Sequence, residues 1–187
     1  MRRLFLLAGM AIAAPVLAVP TGVNPFELPL PGTTAAAEPD LAGSVISDKL
    51  EPFASDSASV PMSGTVQVRV VRNAAGKLAY YWKINNAATS KADVTSIALV
   101  TFPKHAYDAN WRKDGLGTVA PSSVFAIVHP GDLMTLLYGF RFTTPIKPGQ
   151  SSRFFFLRSQ ATQSVPAIGQ LVGSVGFANV PILAPAG

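Results

Sequence analysis

The sequence predicts an all-β fold, an antiparallel two-sheet sandwich of about seven strands that is Ig-like or jelly-roll-like. First, apolar side chains recur at every second residue in several short segments, as expected for strands with one buried face. Second, the chain contains 16 prolines and 15 glycines, which interrupt long helices and favour turns. Third, 187 residues that are 49% hydrophobic suffice for one domain with a sizeable core.

The most regular stretch is a predicted β-hairpin over residues 63–85. Its two strands direct one apolar face to the core, formed by Val66, Val68, Val70, Leu78, Tyr80, Trp82 and Ile84. Between them, Asn73 starts a turn and Gly76 tolerates a positive φ. The alternation on both sides of such a turn is typical of a hairpin.

Five further strands are predicted along the chain, over residues 93–102, 122–128, 133–142, 151–159 and 170–177. The fullest apolar face belongs to the third of these, with Met134, Leu136, Tyr138, Phe140 and Phe142. The His129-Pro130-Gly131-Asp132 sequence before it predicts a turn. Residues 103–121 are polar and charged, and are predicted to form a long crossing loop. Loops of this length in a compact domain often carry function, so this segment is the first expected place for a binding surface.

The N-terminus is predicted to be a signal peptide over residues 1–18. Arg2 and Arg3 precede an apolar run, and Val16-Leu17-Ala18 provides small residues for cleavage. The run is interrupted by Pro15 and is shorter than the roughly 20 residues of a spanning helix. The chain is therefore expected to be secreted, extracellular or periplasmic, with no stable membrane span after cleavage.

Composition divides the remainder of the chain into three parts. Residues 19–60 are rich in Pro, Ala, Ser and Gly, which predicts a linker or an extended N-terminal arm. Residues 61–178 contain the periodic segments and form the predicted sandwich domain. Residues 179–187 are predicted to be a C-terminal tail.

Charge and cysteine content exclude several functions. The net charge is +5, and +3 without Arg2 and Arg3, and the basic residues are scattered rather than clustered. A nucleic-acid partner is therefore not expected. The chain has no cysteine, which excludes a disulfide framework, a thiolate metal site, a cysteine nucleophile and a lipidated cysteine. No cofactor is predicted.

Four short motifs resemble a known group of proteins. They are Ser63-Gly64-x-Val66, Gly76-Lys77-Leu78-Ala79-Tyr80-Tyr81, Asn85-Asn86 and Pro148-Gly149-Gln150-Ser151-Ser152. Over residues 63–177 the chain resembles the ectodomains of secreted bacterial β-sandwich proteins of the choice-of-anchor type, which often carry a PEP-CTERM sorting tail. The chain has Val180-Pro181-Ile182-Leu183 where that tail would begin, without its acidic motif and basic cluster. The resemblance implies a surface protein and assigns no biochemical activity.

Serine-based hydrolysis is an alternative to a structural role for the serines of the chain. It requires a histidine base, and His105 and His129 are the two histidines of the chain. No G-x-S-x-G motif is present, and Ser63, Ser151 and Ser152 lie at predicted turns, where hydroxyls satisfy backbone groups. A hydrolase ranks third among the predicted functions, after a non-enzymatic surface protein and a carbohydrate-binding module. It needs one histidine within hydrogen-bonding reach of a serine and a carboxylate.

Calcium binding is a further alternative for the loop at residues 103–121. Asp108, Asn110 and Asp114 supply the oxygen ligands that calcium prefers. Their spacing departs from the EF-hand pattern, and Arg112 and Lys113 intervene with two positive charges. The pattern therefore favours a solvated loop.

Four residues are candidates for ligand binding at the surface: Tyr81, Tyr107, Trp111 and Arg112. The favoured function is that of a secreted, non-enzymatic β-sandwich with a structural or surface/extracellular-matrix interaction role. The expected partner is a surface polysaccharide or another secreted protein. The main alternative is a carbohydrate-binding module in which Tyr81 and Trp111 stack on sugar rings.

Overall fold

The computed structural model describes residues 17–55, 57, 59–129 and 132–187. Residues 1–16 of the predicted signal peptide, and Pro130 and Gly131 of the predicted turn before Asp132, lie outside these ranges. Within them, two six-stranded antiparallel sheets pack face to face. The fold class predicted from the sequence, an antiparallel two-sheet sandwich, is confirmed.

The described ranges contain twelve strands instead of the predicted seven. In chain order they are β1 (Val19–Pro20), β2 (Phe26–Pro29), β3 (Ser44–Ala54), β4 (Ser63–Arg72), β5 (Leu78–Asn86), β6 (Val94–Leu99), β7 (Asp108–Trp111), β8 (Ser123–His129), β9 (Asp132–Ile146), β10 (Phe155–Arg158), β11 (Ser164–Gly173) and β12 (Phe177–Pro185). The first sheet has the order β1-β7-β10-β5-β4-β3, and the second has the order β12-β11-β6-β9-β8-β2. A 3₁₀ turn spans Pro39–Leu41. No helix in the described ranges is long and apolar enough to cross a membrane.

The predicted hairpin is present as β4 and β5, with Val68 opposite Trp82. Its turn contains Gly76 at φ 77°, as the sequence predicts. The core between the sheets is built around Trp82, whose ring lies 5.7 Å from Phe102, 6.1 Å from Phe140 and 5.9 Å from Phe155. These aromatic pairs link both sheets into one apolar layer.

A second, smaller apolar cluster lies on the outer face of the first sheet. It consists of Ala18, Leu41, Val71, Ala79, Tyr81, Phe154 and Phe156. Residues 30–43, called the crossing segment below, cover it. This segment forms an isolated bridge between Thr33 and Arg112, the residue after β7, then buries Leu41 and enters β3 at Ser44. Both faces of β5 are therefore buried from Leu78 to Trp82.

The prediction that residues 19–60 form a linker or arm is wrong for β1, β2 and β3, which are strands of the two sheets. These strands lie at sheet edges and bury few side chains. In β3 only Phe53 is fully buried. An edge strand lacks the sustained apolar alternation by which the other strands are recognised.

The predicted C-terminal tail is also a strand. Residues 170–177, expected to be one strand, contain the end of β11, a turn at Gly176 and the start of β12. In β12 the residues Val180, Ile182 and Ala184 alternate into the core, but Pro181 and Pro185 obscure this pattern in the sequence. Proline is tolerated here because β12 is an edge strand.

The segment 103–121 is not entirely a loop. Its residues Asp108–Trp111 form β7, which pairs with β10 on one side and with the short β1 on the other. The four-residue length and polar content of β7 explain why the sequence pattern did not identify it as a strand.

Candidate functional site: a cleft on the first sheet

A cleft of about 400 Å³ lies on the outer face of the first sheet, at the margin of the crossing segment. Its floor is formed by outward-facing side chains of β4, β5 and the residue before β10: Gln67, Arg69, Val71, Tyr81 and Phe154. One wall comprises Leu41, Gly43 and Val45, and the other comprises residues 112–116. The cleft is therefore the part of this sheet face that lies between two chain segments.

The apolar side of the cleft reaches the surface at both walls. Leu116 is 76% exposed and Val45 is 53% exposed, whereas Leu41 and Val71 below them are buried. The cleft thus offers a ligand both apolar contact and, at its floor, charged groups.

The charged groups of the cleft form two ion pairs. The Arg112 Nε atom lies 2.6 Å from Asp114 Oδ1, and its Nη2 lies 3.0 Å from Oδ2, a bidentate arrangement. The Arg69 Nη2 atom lies 2.7 Å from Asp48 Oδ2, and its guanidinium lies 4.9 Å from the centre of the Phe154 ring. Both arginines are thereby held in place by a carboxylate.

These contacts change the pKa of Asp114. The hydrogen bond from Arg112 is the largest cause, opposed by partial burial, and the pKa of the Asp114 carboxyl falls to about 2. The backbone N–H of Ala35, in the crossing segment, also donates to Asp114 Oδ2 at 2.9 Å. The carboxylate therefore ties the wall at residues 112–116 to the crossing segment.

Tyr81 lies at the floor with its hydroxyl buried close to the Arg112 guanidinium. Burial raises the pKa of Tyr81 to about 12, and the nearby Arg112 partly offsets the rise.

An ion pair beneath the crossing segment supports the site from one side. The Arg158 Nη1 atom lies 2.9 Å from Glu38 Oε2, and the Glu38 side chain is only 3% exposed. Arg158 also approaches Asp108, with 3.4 Å between Nη2 and Oδ2. Glu38 belongs to the crossing segment and Arg158 to β10, so the pair joins the segment to the sheet.

Two of the four binding candidates are not surface residues. Tyr81 is 3% exposed and Tyr107 is 2% exposed. Tyr81 was expected to be accessible because it alternates with the core residues of β5, but the crossing segment and Phe156 cover it. Tyr107 lies in the core, packed edge-on against Tyr138 at 5.1 Å.

Trp111 and Arg112 lie nearer the surface but are both engaged. The Trp111 indole N–H donates to the Leu30 carbonyl at 3.2 Å, and Arg153 lies 5.8 Å from the centre of its ring. Tyr81 and Trp111 therefore do not form an open aromatic platform. Arg112 is the one predicted candidate that combines partial exposure with a place in the cleft.

Each of the three calcium candidates has at least one side-chain oxygen in contact with another protein group. Asn110 is fully buried, and its Oδ1 accepts from the backbone N–H groups of Gly32 and Trp111. Asp108 approaches Arg158, and Asp114 binds Arg112. Among the residues the structure describes, no group of three His, Cys, Asp or Glu side chains is arranged to hold a metal ion.

The histidines and serines show no triad arrangement in the described part of the chain. His105 packs edge-on with Tyr107, and no described hydrogen bond joins its imidazole to a serine or a carboxylate. The Ser152 hydroxyl accepts from the Ile84 N–H at 2.9 Å, the backbone role expected for it. The side chains of His129 and Asp132 lie outside the described residues.

Several cleft residues were missed by the sequence reasoning. Gln67 and Arg69 alternate with the buried valines of β4, which identifies them as outward-facing but gives no reason to select them. Leu116 is an isolated apolar residue between Gly115 and Gly117, and this position in a polar loop was the one sequence feature that could have identified it as a surface contact. Leu41 lies in a Pro-, Ala-, Ser- and Gly-rich stretch without sustained alternation, so the sequence pattern gave no reason to select it.

No protein-family model, no curated protein sequence and no solved structure matches this chain.

Proposed function

We propose that this protein is a secreted, non-enzymatic β-sandwich that binds a partner at the cell surface or in the extracellular matrix through the cleft. The observation that carries the proposal is the amphipathic lining, in which the exposed apolar Leu116 and the Arg112–Asp114 ion pair belong to the same wall. Sites for small ligands typically combine an apolar lining with a few fixed polar groups.

The rigidity of the floor favours binding. Its side chains project from hydrogen-bonded strands, and the arginines are oriented by Asp48 and Asp114. Side chains already held in position lose little conformational entropy when a ligand arrives. Secretion is proposed from the charged and apolar regions of residues 1–18.

A carbohydrate ligand is the second candidate. Arg69, Arg112, Asp114 and Gln67 provide planar polar groups in one cleft, and such groups can hydrogen-bond sugar hydroxyls. Carbohydrate binding would therefore use the polar groups of the cleft, because Tyr81 is too buried to stack on a sugar.

The test uses the secreted form of the protein with a panel of neutral and acidic oligosaccharides and short extended peptides. Backbone amide chemical shifts are followed by NMR as each probe is added. We expect shifts at Gln67, Arg69 and Leu116 with at least one probe. The matched variants are Leu116→Asp in the cleft rim and Val175→Asp at an exposed turn of the other sheet.

Loss of binding in the first variant and retention in the second supports the proposal. Shifts confined to residues far from the cleft refute the site. Release of a reaction product from any probe refutes the non-enzymatic role. The composition of the responding probe, sugar or peptide, decides between the two candidates.

A further inference from the structure

The strand β3 is the longest strand at a sheet edge in the described residues, with eleven residues paired to β4 on one side. In the described part of the chain no strand is hydrogen-bonded to its other side, and β12 of the second sheet packs near it across the sandwich. Three large apolar side chains of this strand are exposed, Val45 (53%), Ile46 (44%) and Leu50 (61%). An open edge of this length can pair with another strand unless its side chains oppose it.

The backbone of β3 presents a definite set of groups on the open side. Pro52 has no N–H to donate to β4, and a proline within an edge strand directs its nitrogen away from the ladder. Because main-chain groups alternate between the two sides of a strand, Asp48 and Leu50 also direct their N–H and C=O groups to the open side.

The side chains of Lys49 and Glu51 lie on the same face of β3, opposite Val68 and Val66 of β4. Neither forms a salt bridge within the described residues. Asp48, on the other face, is already held by Arg69 and Gln67. The edge therefore carries one cation and one anion, two residues apart, without partners.

We propose that β3 pairs antiparallel with β3 of a second copy of this chain, with the two-fold axis at Leu50. In this register Lys49 of each copy lies opposite Glu51 of the other, which forms two cross-strand ion pairs on one face. The two Leu50 side chains meet on the other face. The order cation, leucine, anion is self-complementary in an antiparallel arrangement, as a symmetric dimer requires.

Neighbouring registers are disfavoured by the same charges. In an antiparallel pair, residues directly opposite each other must both direct their main-chain N–H and C=O groups toward the partner strand or both direct them away. The register can therefore shift only in steps that keep odd-numbered residues opposite odd-numbered residues. One such step places Lys49 opposite Lys49, and the opposite step places Glu51 opposite Glu51. Like charges directly opposite one another are destabilising.

The association is expected to be weak. The leucine pair exchanges two main-chain hydrogen bonds, and Asp48 of each copy donates to Pro52 of the other, giving about four in total. Pro52 cannot donate in return, and a single short strand pair is smaller than a standard stable interface. The dimer forms at high local concentration, as on a crowded surface.

The test measures the self-association constant by sedimentation velocity and sedimentation equilibrium, from micromolar to about 1 mM protein, a ceiling that corresponds to about −4 kcal/mol of binding free energy. The variants are Lys49→Glu, Glu51→Lys and the double exchange Lys49→Glu/Glu51→Lys, with Lys104→Glu as an exposed control of equal charge change. Each single change replaces two attractive pairs by two repulsive ones and weakens association by about tenfold or more.

The double exchange restores the pairs in reversed order and is expected to recover the wild-type association constant. Amide hydrogen exchange provides a second readout, because the Leu50 N–H becomes protected as the concentration rises. A protein that stays monomeric up to about 1 mM overturns the proposal. So does a double exchange that associates as weakly as the single variants, or a dimer in which Leu50 stays unprotected.

Discussion

Replacing Arg158 by Met tests whether the ion pair with Glu38 holds the crossing segment on the first sheet. Glu38 is only 3% exposed, and the Arg158 guanidinium lies 2.9 Å from its carboxylate. Arg158→Met leaves that carboxylate buried without a compensating charge. Breaking a buried pair in this way costs about 3–5 kcal/mol of the free energy of unfolding.

Asp108 provides the matched control, since it approaches the same guanidinium at 3.4 Å but its side chain is 40% exposed. Asp108→Ala is expected to cost about 0–1 kcal/mol, as exposed ion pairs do. The double variant Glu38→Gln/Arg158→Met should recover part of the loss, because the amide carries no charge.

The assay is urea unfolding followed by the fluorescence of the two tryptophans, Trp82 and Trp111. An unchanged slope with a lower midpoint identifies a change in stability rather than in the surface exposed on unfolding. If Arg158→Met were no more destabilising than Asp108→Ala, the docking of the crossing segment through a buried ion pair would be refuted.

Three further predictions concern burial, close packing and charge. Burial raises the pKa of all four tyrosines, so each keeps its proton at pH values where the unfolded chain loses it. The four protonated tyrosines therefore contribute fully to stability below a pH of about 10, and this contribution is lost as the pH rises further. Tyrosinate absorbance at 295 nm should appear together with unfolding. Ionisation of the tyrosines near a pH of about 10 in the folded protein would contradict their burial. Gly139→Ala should destabilise the protein by about 1–3 kcal/mol in thermal unfolding, because a Cβ there would overlap the Phe125 ring; an unchanged melting temperature would argue against this packing. The pKa of Asp114 is lowered to about 2, so its contribution to stability is present above pH of about 4 and is lost as the pH falls toward 2. An NMR titration of its carboxyl carbon measures this pKa, which should return toward the usual value in Arg112→Met, and a wild-type value near 4 would contradict the pairing.

The core of the sandwich was predictable because its strands bury one regular face. Val66, Val68 and Trp82 alternate without interruption and all lie between the sheets. Phe140 is buried for the same reason, since β9 has an apolar or aromatic residue at every second position from Met134 to Phe142. Where alternation is continuous, periodicity alone specifies which side chains avoid water.

The cleft was not predictable, because it depends on a segment that has no periodicity. Tyr81 is polar at one end and alternates with core residues, so the sequence placed it at the surface. Its burial follows from Leu41 and Glu38, more than 35 residues earlier in the chain, which return across the sheet. A long-range contact of this kind leaves no local pattern around Tyr81.

The position of the cleft follows from where the crossing segment ends. From Thr33 to Leu41 the segment lies over the outer face of the first sheet and buries Phe156 and Ala79, and from Ser44 onward the chain continues as the edge strand β3. The sheet face between this departure and the turn at residues 112–116 remains uncovered, and that area is the cleft. The proposed binding function therefore depends on a docked segment, so Arg158→Met should weaken ligand binding even though Arg158 does not line the cleft.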